Sequence, residues 1–421
     1  MRSEWRDLRL GDVSENISRR FDFSDKPKVV FINTGDVLEG KFLVNHYSDS
    51  DALPGQAKKA IKQDDILFTE IRPANKRFAY VDFNSEDYVV STKFMVIKAN
   101  ELISPRYLYL VLTSNQVLRE FQHVAESRSG TFPQITFDAV SYLPIKVPPL
   151  PIQKKIAHIF STLDDKIELN RKMNETLEAM AQALFKSWFV DFDPVHVKAT
   201  CKSEQELEVA ATKLGISKEI LDLFPSEFEE SEMGMIPLGW EVSSIGNEFT
   251  VTMGQSPSGK SYNETKNGII FFQGRRDFGT YFPSERVYTT EPKRLAKEDD
   301  ILLSVRAPVG DINIAMKECC IGRGLSALKH KSNSLGYSYL VLKNLRVYFD
   351  GYNTEGTVFG SVNQNTLKSL KLLKDEHIIH KFNMIVEPMF RQIKNNSLEI
   401  LSLQNTRDTL LPKLLSGELD V

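Results

Sequence analysis

The sequence predicts an α+β protein in which two similar mixed α/β globular domains are separated by two long antiparallel coiled-coil helices, with an internal pseudo-two-fold repeat. Three observations predict this class. The second half of the chain restates the first, each half ends in a long helical stretch, and 421 residues with 41% hydrophobic content can bury two cores. The predicted parts are a first globular domain (1–150), a first spacer helix (151–189), an acidic crossover linker (190–235), a second globular domain (236–375) and a second spacer helix (376–421).

The repeat consists of short matching segments whose separation shortens slightly along the chain. Lys62–Leu67 recurs as Lys297–Leu302, and each copy is followed by an arginine and a proline. Further matches are Trp5 with Trp240, Val29–Ile32 with Ile269–Phe272, Tyr107–Leu112 with Tyr337–Leu342, and Gly130–Thr131 with Gly356–Thr357. Because the segments keep their order, they predict the same strands, helices and loops in two related domains.

The spacer helices are predicted from apolar residues three and four positions apart, which match between the halves at one constant offset from Ile159 and Ile385 onward. One such stripe would be ordinary core packing, but two matched stripes favour a helix pair. Asn170 and Asn396 occupy equivalent positions and are predicted to meet in the coiled coil, where a polar residue fixes register. The predicted interface consists of Ile159, Leu163, Ile167, Asn170, Leu177, Leu184, Ile385, Ile393, Asn396, Leu403 and Leu410.

Composition excludes several classes of protein. We expect a soluble, cytoplasmic chain, because residues 1–12 are polar and charged and no apolar run approaches the roughly 18 residues of a membrane span. Cys201, Cys319 and Cys320 form no CxxC pair, so neither a zinc site nor a disulfide framework is expected. The net charge of −3 is unevenly distributed: residues 190–235 carry −7 and residues 236–375 carry +4. The second globular domain is therefore basic by itself.

Two motifs suggest nucleotide binding. Gly254–Ser261 matches the P-loop pattern, and the alternative function is a P-loop ATPase. The Asn267-Gly268 pair that follows should interrupt the required helix, so we prefer a loop that offers backbone N–H groups and Lys260 to DNA phosphate. Gly322–Ala327 resembles a dinucleotide fingerprint but lacks an acidic residue about 20 positions later. No catalytic, cofactor or metal constellation is predicted, and Asp64-Asp65 and Asp299-Asp300 are interpreted as turn residues.

Three segments carry a family resemblance over essentially the whole chain. Ser187–Pro194, Phe224–Phe228 with Gly234–Glu241, and Leu410–Leu419 closely resemble the connectors and tail of type I restriction-modification specificity subunits. The resemblance implies two variable target-recognition domains (1–150 and 236–375), two conserved helical regions that pack antiparallel, and binding to double-stranded DNA with a bipartite target. It also implies two methyltransferase subunits and restriction-translocase subunits as partners, with S-adenosylmethionine, ATP and magnesium held by those partners. The chain itself is expected to be non-catalytic.

The family does not specify which side chains read DNA, so we predict them from their chemistry. Arginine and lysine in Gly-, Pro- or Ser-rich loops after strands suit phosphate contact and bidentate reading of guanine, and neighbouring hydroxyl and amide groups add hydrogen bonds. The first half contributes Arg72, Lys76, Arg77, Arg128, Thr131 and Gln134. The second half contributes Lys260, Arg275, Arg276, Arg306, Arg323, Thr357, Ser361 and Asn363.

Overall fold

The computed structural model of the chain describes residues 4–128, 133–352 and 360–421, without the side chains of residues 128, 351 and 352. It divides into two compact units: Met1–Glu168 with Ile400–Val421, and Leu169–Glu399. Arg128, apart from its backbone, and Thr131 and Thr357 therefore lie outside the described residues. No helix in the described part of the chain is long and apolar enough to span a membrane.

The described part of the first unit contains twelve short strands and four helices before its long helix. The helices are α1 (Leu10–Val13), α2 (Pro105–Leu112), α3 (Asn115–Arg128) and α4 (Phe137–Val140). The strands are β1 (Arg6–Arg9), β2 (Ser14–Asn16), β3 (Lys28–Ile32), β4 (Val37–Leu38), β5 (Lys41–Phe42), β6 (Ser48–Asp49), β7 (Ala57–Ala60), β8 (Ile66–Thr69), β9 (Phe78–Tyr80), β10 (Tyr88–Ser91), β11 (Phe94–Ala99) and β12 (Pro144–Val147). Two four-stranded sheets, ordered β6-β3-β10-β7 and β2-β11-β8-β9, hold most of them.

The long helix α5 (Leu150–Phe189) begins in the first unit and ends in the second. The other helices of the second unit are α6 (Asp193–Thr200), α7 (Glu204–Leu214), α8 (Lys218–Leu221), α9 (Ile245–Glu248), α10 (Leu335–Asn344), α11 (Gln364–Ser369) and α12 (Glu376–Leu415). Its strands are β13 (Phe228–Ser231), β14 (Gly234–Pro237), β15 (Glu241–Ser244), β16 (Phe249–Met253), β17 (Tyr262–Asn263), β18 (Ile269–Phe272), β19 (Tyr288–Thr289), β20 (Leu295–Ala296), β21 (Ile301–Ser304), β22 (Ile312–Ile314), β23 (Cys319–Ile321), β24 (Leu325–His330) and β25 (Lys371–Lys374).

The two units share one topology. In the second unit the sheets are ordered β17-β19-β18-β23-β20 and β16-β24-β21-β22, which repeats the order of the first unit with one added edge strand. The parallel pair β3–β10 has its counterpart in β18–β23, and the antiparallel pair β1–β12 has its counterpart in β15–β25. The predicted fold class and the internal repeat are confirmed.

The two long helices are each 40 residues long, about 60 Å, and both their first and last residues match at the predicted constant offset. In the second unit α5 and α12 run antiparallel. Successive residues along α5 contact residues progressively closer to the start of α12: Asn170 bonds Glu399, Asn174 bonds Asn396, and the ring of Phe185 contacts that of Phe382. In the first unit Asp164 faces Arg407 in the same sense.

The predicted contact between Asn170 and Asn396 is wrong, although both side chains are buried. Nδ2 of Asn396 donates to Oδ1 of Asn174 at 2.8 Å, and Nδ2 of Asn170 donates to Glu399 at 2.8 Å. Nδ2 of Asn174 also donates to Oγ of Ser397 at 3.2 Å. The helices are therefore staggered by about one turn relative to the predicted pairing, and five polar side chains form a bonded layer that disfavours other registers.

The predicted interface stripe is only partly the buried face of the helices. Ile167 and Ile393 are buried, whereas the other apolar residues of the prediction, from Ile159 to Leu410, are half-buried. The most deeply buried helix residues belong to the core of their own unit, such as Phe160 in the first and Phe390 in the second. Each helix therefore buries one face against a globular domain and a second face against the other helix.

Residues 190–235, predicted as a crossover linker, are folded against the second unit. The short helix predicted near Glu204 to Leu214 is present as α7. Val195, Ala211, Leu221 and Phe224 are buried in the same core as Trp188 of α5. Most acidic groups of this segment are exposed, which is why composition alone indicated a linker.

Glu178 of α5 is the polar anchor of the second globular domain. Its carboxylate accepts hydrogen bonds from the hydroxyls of Tyr281 at 2.8 Å and Tyr339 at 3.1 Å, and from Nζ of Lys343. Burial opposes ionisation, but the hydrogen bonds from Lys343 and the tyrosines hold the pKa of Glu178 below its usual range. This network fixes the orientation of helix α10 and the sheets on α5.

Candidate nucleic-acid interface

In the second unit, several strands end at the same edge and their loops bond to one another. The N–H of Gly322, after β23, donates to the carbonyl of Phe272 at the end of β18 (2.8 Å). The N–H of Gly254, after β16, donates to Leu325 (2.9 Å), and the N–H of Val305, after β21, donates to Gly324 (3.0 Å). Strand ends distant in sequence therefore build one layer of loops.

The glycines of these loops are explained by close backbone approach. A Cβ atom on Gly254 would lie 2.1 Å from the carbonyl oxygen of Gly322, and one on Gly324 would lie 2.7 Å from the carbonyl oxygen of Gln273. Gly322–Ala327 leads into strand β24 rather than into a helix, so the dinucleotide fingerprint lacks its structural context. The glycines of Gly322–Ala327 serve packing of the loops.

The P-loop pattern also lacks its structural context. Gly259–Ser261 form a three-residue 3₁₀ turn, after which strand β17 begins, so the helix that a P-loop requires does not follow this loop. Oγ of Ser261 bonds the carbonyl of Ser258 at 2.7 Å and the hydroxyl of Thr289 at 2.8 Å. Lys260 is exposed on this turn, as expected for the preferred phosphate-contact interpretation.

The loop layer carries the basic residues predicted for the second half. Arg275, Arg276, Arg306 and Arg323 all follow strand ends and are exposed. Arg275 pairs with Asp311, whose other carboxylate oxygen lies 3.1 Å from Nη2 of Arg346. A carboxylate shared by two guanidinium groups holds both in fixed directions. The second half therefore presents a cationic surface made of separate loops.

A backbone bridge joins the Arg306 loop to the segment containing Ser361. Arg306 and Ser361 form an isolated antiparallel bridge, flanked by hydrogen bonds from the N–H of Ala307 to Gly360 (2.7 Å) and from the N–H of Val362 to Val305 (2.9 Å). The bridge places the exposed guanidinium-bearing loop beside a hydroxyl that is distant in sequence. Asn363, in contrast, caps helix α11 by accepting from the N–H of Thr366 at 3.0 Å, which is a structural role.

The first unit contains the same bridge. Ile71 pairs with Gln134, the N–H of Ile135 donates to Glu70 (2.8 Å) and the N–H of Arg72 donates to Pro133 (3.0 Å). In the first unit the bridge joins the loop after β8 to the segment that contains Gln134. In the second unit it joins the loop after β21 to the segment that contains Ser361. The arginines differ by one position: Arg306 lies in the bridge itself, whereas Arg72 follows it.

The Arg72 loop is held in a conformation that its residues do not favour. Arg72 (φ 44°) and Lys76 (φ 54°) are both left-handed and flank the turn Pro73–Asn75. The N–H of Ala74 donates to Oε1 of Gln122 on α3, which braces the turn. Such strain persists only where surrounding contacts impose it, and it is frequent at functional sites. Arg72 remains exposed on this rigid turn.

Two neighbours of Arg72 are engaged within the protein. Nζ of Lys76 pairs with Glu39 at 2.8 Å, at an exposed position. Nη1 of Arg77 donates to the carbonyl oxygens of Gly35 at 2.7 Å and Val37 at 2.9 Å, so Arg77 stabilises the loop after β3. The Nη1 group of Arg77 is therefore engaged within the protein, and a DNA contact by this residue stays a prediction.

Sequence reasoning missed two exposed cations. Lys93 lies in the turn between β10 and β11, and its carbonyl oxygen accepts the N–H of Glu70 at 3.0 Å. In the second unit the carbonyl oxygen of Gly324 accepts the N–H of Val305 in the same way. This turn aligns with the Arg323 loop, and the alignment of the halves could have identified it. Arg346 follows helix α10 and is brought to the loop layer by Asp311, for which the sequence carries no signal.

The paired aspartates have the predicted turn role. Asp64 (φ 70°) and Asp299 (φ 67°) are left-handed turn residues. The carboxylates of Asp65 and Asp300 accept the N–H groups of Lys62 and Lys297, at 2.7 and 2.8 Å respectively.

Comparison with known proteins identifies relatives over the whole chain. A family profile described as "Type I restriction modification DNA specificity domain" matches residues 2–179 and 237–373. The chain is 38% identical to the type I restriction enzyme HindI specificity subunit of Haemophilus influenzae, covering 99% of this chain and 100% of that protein. It is 30% identical to the putative MjaX specificity subunit of Methanocaldococcus jannaschii, covering 87% and 80%. A crystal structure of a type I restriction-modification S subunit from M. genitalium has the same fold, with a TM-score of 0.61 at 15% identity over 98% of this chain and 96% of that one.

Proposed function

Because this chain belongs to the type I restriction-modification DNA specificity subunits, we propose that its two units each read one part of a split DNA target through the Arg72 and Arg306 loops. The role is DNA recognition rather than catalysis. The observation that carries the assignment of the reading loops is the repeated backbone bridge, which contains an exposed arginine in the second unit and is directly followed by one in the first. Two equivalent surfaces suit a bipartite target.

The electrostatic surface supports this function. Arg276 and Arg323 of the second unit and Lys93 of the first are exposed on loops of the same layers as the two arginines. Such groups neutralise phosphate and set the position of the protein on DNA, whereas a guanidinium in the major groove reads guanine bidentately. We assign phosphate contact and positioning to these additional cations, and base reading to Arg72 and Arg306.

The enzymatic partners follow from the same family. We propose that DNA adenine-methyltransferase subunits and restriction-translocase subunits assemble on this chain, and that S-adenosylmethionine, ATP and magnesium are held by those partners. Since α5 and α12 are equivalent helices beside equivalent domains, each unit offers a comparable docking surface. We expect two methyltransferases per chain, as native mass measurement of the reconstituted complex will test. A stable one-to-one complex at saturating partner would contradict the equivalence.

Substitution of one arginine at a time tests the reading loops. We expect Arg72→Ala to relax base preference in one half-site only and Arg306→Ala in the other, since loss of a bidentate base contact costs about 1–3 kcal/mol at the contacted base pair. The readout is N6-methyladenine sequencing of DNA modified by each variant complex. Lys62→Ala and Lys297→Ala are matched controls, because these exposed lysines precede strands β8 and β21 whereas the arginines follow them. Equal change of both half-sites by either arginine variant would contradict the proposal.

A further inference from the structure

The second unit carries a small apolar projection beside its cationic loops. Val347 and Tyr348 lie in the 3₁₀ segment Leu345–Tyr352 and are 72% and 56% exposed, whereas Leu345 and Phe349 on either side of them are buried. We call Val347 and Tyr348 the apolar tip. In the first unit the corresponding chain position, after α2, is helix α3, which exposes polar residues such as Arg119 and His123.

The apolar tip is rigidly joined to the turn that follows Arg306. Phe349 packs on Gly310, which has φ 96° and where a Cβ atom would lie 3.0 Å from Phe349. That turn is closed by Ser304, whose Oγ donates to the carbonyl of Pro308 at 2.8 Å and accepts the N–H of Asp311 at 2.9 Å. The apolar tip and the Arg306 loop are therefore held together by direct contacts.

The charges next to the apolar tip favour base edges over phosphates. Asp311, with 18% of its side chain exposed, pairs with both Arg275 and Arg346. A carboxylate at this place repels phosphate and lowers the cationic strength of the two arginines toward the DNA backbone. The Asp311 carboxylate therefore favours a surface that faces base edges rather than phosphates. In the major groove these edges present hydrogen-bond donors and acceptors and one apolar group, the 5-methyl of thymine.

We propose that Val347 and Tyr348 contact the 5-methyl group of a thymine in the half-site read by the second unit. The inference rests on the proposed function, and it adds a residue pair that selects T·A at one position by apolar contact. Because buried Leu345 and Phe349 hold the backbone of the tip, less of the protein has to be ordered on binding. The first half-site is not read in this way, since α3 replaces the tip there.

Deoxyuridine scanning tests this contact on the full chain in complex with its methyltransferase. Each thymine of the methylated motif is replaced by deoxyuridine, which removes only the methyl group, and the dissociation constant is measured. We expect one position of the second half-site to lose about fourfold in affinity, the effect of burying one methyl-sized group. Val347→Ser and Tyr348→Ser should weaken binding to the thymine duplex and abolish the difference between thymine and deoxyuridine at that position. Val209→Ser, at a valine 56% exposed on α7, is the matched control and should retain the wild-type difference.

Three results would overturn the inference while leaving the proposed function intact: a second half-site without T·A pairs, no sensitivity to deoxyuridine there, or an undiminished deoxyuridine effect in the two tip variants. Failure of the complex to prefer its motif over a scrambled duplex would overturn the proposed function, and this inference with it.

Discussion

A fragment comprising residues 1–235 is expected to form a symmetric dimer and, with its methyltransferase, to modify an interrupted palindrome built from the first half-site alone. In the intact chain the core of the first unit includes Leu414 of α12, with Leu410 and Leu411 packed against it. The fragment lacks that helix. Burying each Leu or Ile side chain is worth about 1.5–3 kcal/mol, so the uncovered face should acquire a new partner.

A second copy of α5 can replace α12 because the two helices have the same length and their apolar stripes recur at one constant offset. Leu184, Phe185 and Trp188 then take the positions of Leu410, Leu411 and Leu414. In the intact chain Phe185 and Trp188 already pack beside Phe382 of the second unit. Phe382 is the repeat equivalent of Ile156, which lies in the core of the first unit.

The polar layer is also preserved in such a dimer. Asn396, which bonds Asn174 in the intact chain, is replaced by Asn170 of the second copy. The asparagine pair therefore forms twice, once on each side of the two-fold axis, and no buried amide is left without a partner at this point. A two-fold dimer presents the Arg72 loop to both strands in the same way, which is why its target should have inverted symmetry.

Light scattering and methylome sequencing check this prediction together. The measured mass should be twice that of the fragment, and the methylated motif should be palindromic around its gap. Asn174→Leu in the fragment is a useful comparison, because it removes one partner of each pair and should weaken the dimer. A monomeric fragment, or methylation of a site without inverted symmetry, would refute both the helix pairing and the two-reader interpretation.

Shortening both spacer helices is expected to shorten the gap between the half-sites without changing their bases. Residues 169–175 and 395–401 are equivalent heptads at the junction of the two units. Their joint removal takes away Asn170, Asn174 and Asn396 together, so none of these three is left buried without its partner. Seven residues of helix span about 10 Å, which corresponds to at most about three base pairs.

Methylation of a library with fixed half-sites and gaps of every length measures the effect. The preferred gap of the double deletion should be shorter than that of the intact chain, with both half-site sequences retained. A deletion in only one helix is the control and should disrupt assembly, since it shifts the apolar stripe and the polar layer out of register. Unchanged gap with altered bases would show that the helices do not determine spacing.

Repetition made the fold predictable from one sequence. The matched segments Lys62–Leu67 and Lys297–Leu302 lead into β8 and β21, and the constant offset of the helices agrees with the observed ends of α5 and α12. Hydrophobic spacing could not give the stagger of the pair. Asn170 and Asn396 are equivalent by the repeat, but contact depends on which residues lie opposite after the helices have packed on their domains.

The candidate interface was predictable by residue type but not by contact. Exposed Arg72 and Arg306 follow the predicted strands, yet the bridges to Gln134 and Ser361 join segments that are far apart in sequence, and no local pattern encodes them. Arg77 carries the same local signal as Arg72 but points its donors at backbone carbonyls. Tertiary contacts therefore decide which cations remain available to DNA.

We propose that one chain reads two half-sites through two equivalent units. Single-molecule sequencing of N6-methyladenine in DNA from cells that contain this chain and its methyltransferase tests it most directly. We predict one bipartite motif, in which two different short half-sites flank a fixed gap and each contains a methylated adenine. Methylation of a continuous or single-part motif that depends on this chain would contradict the two-reader account.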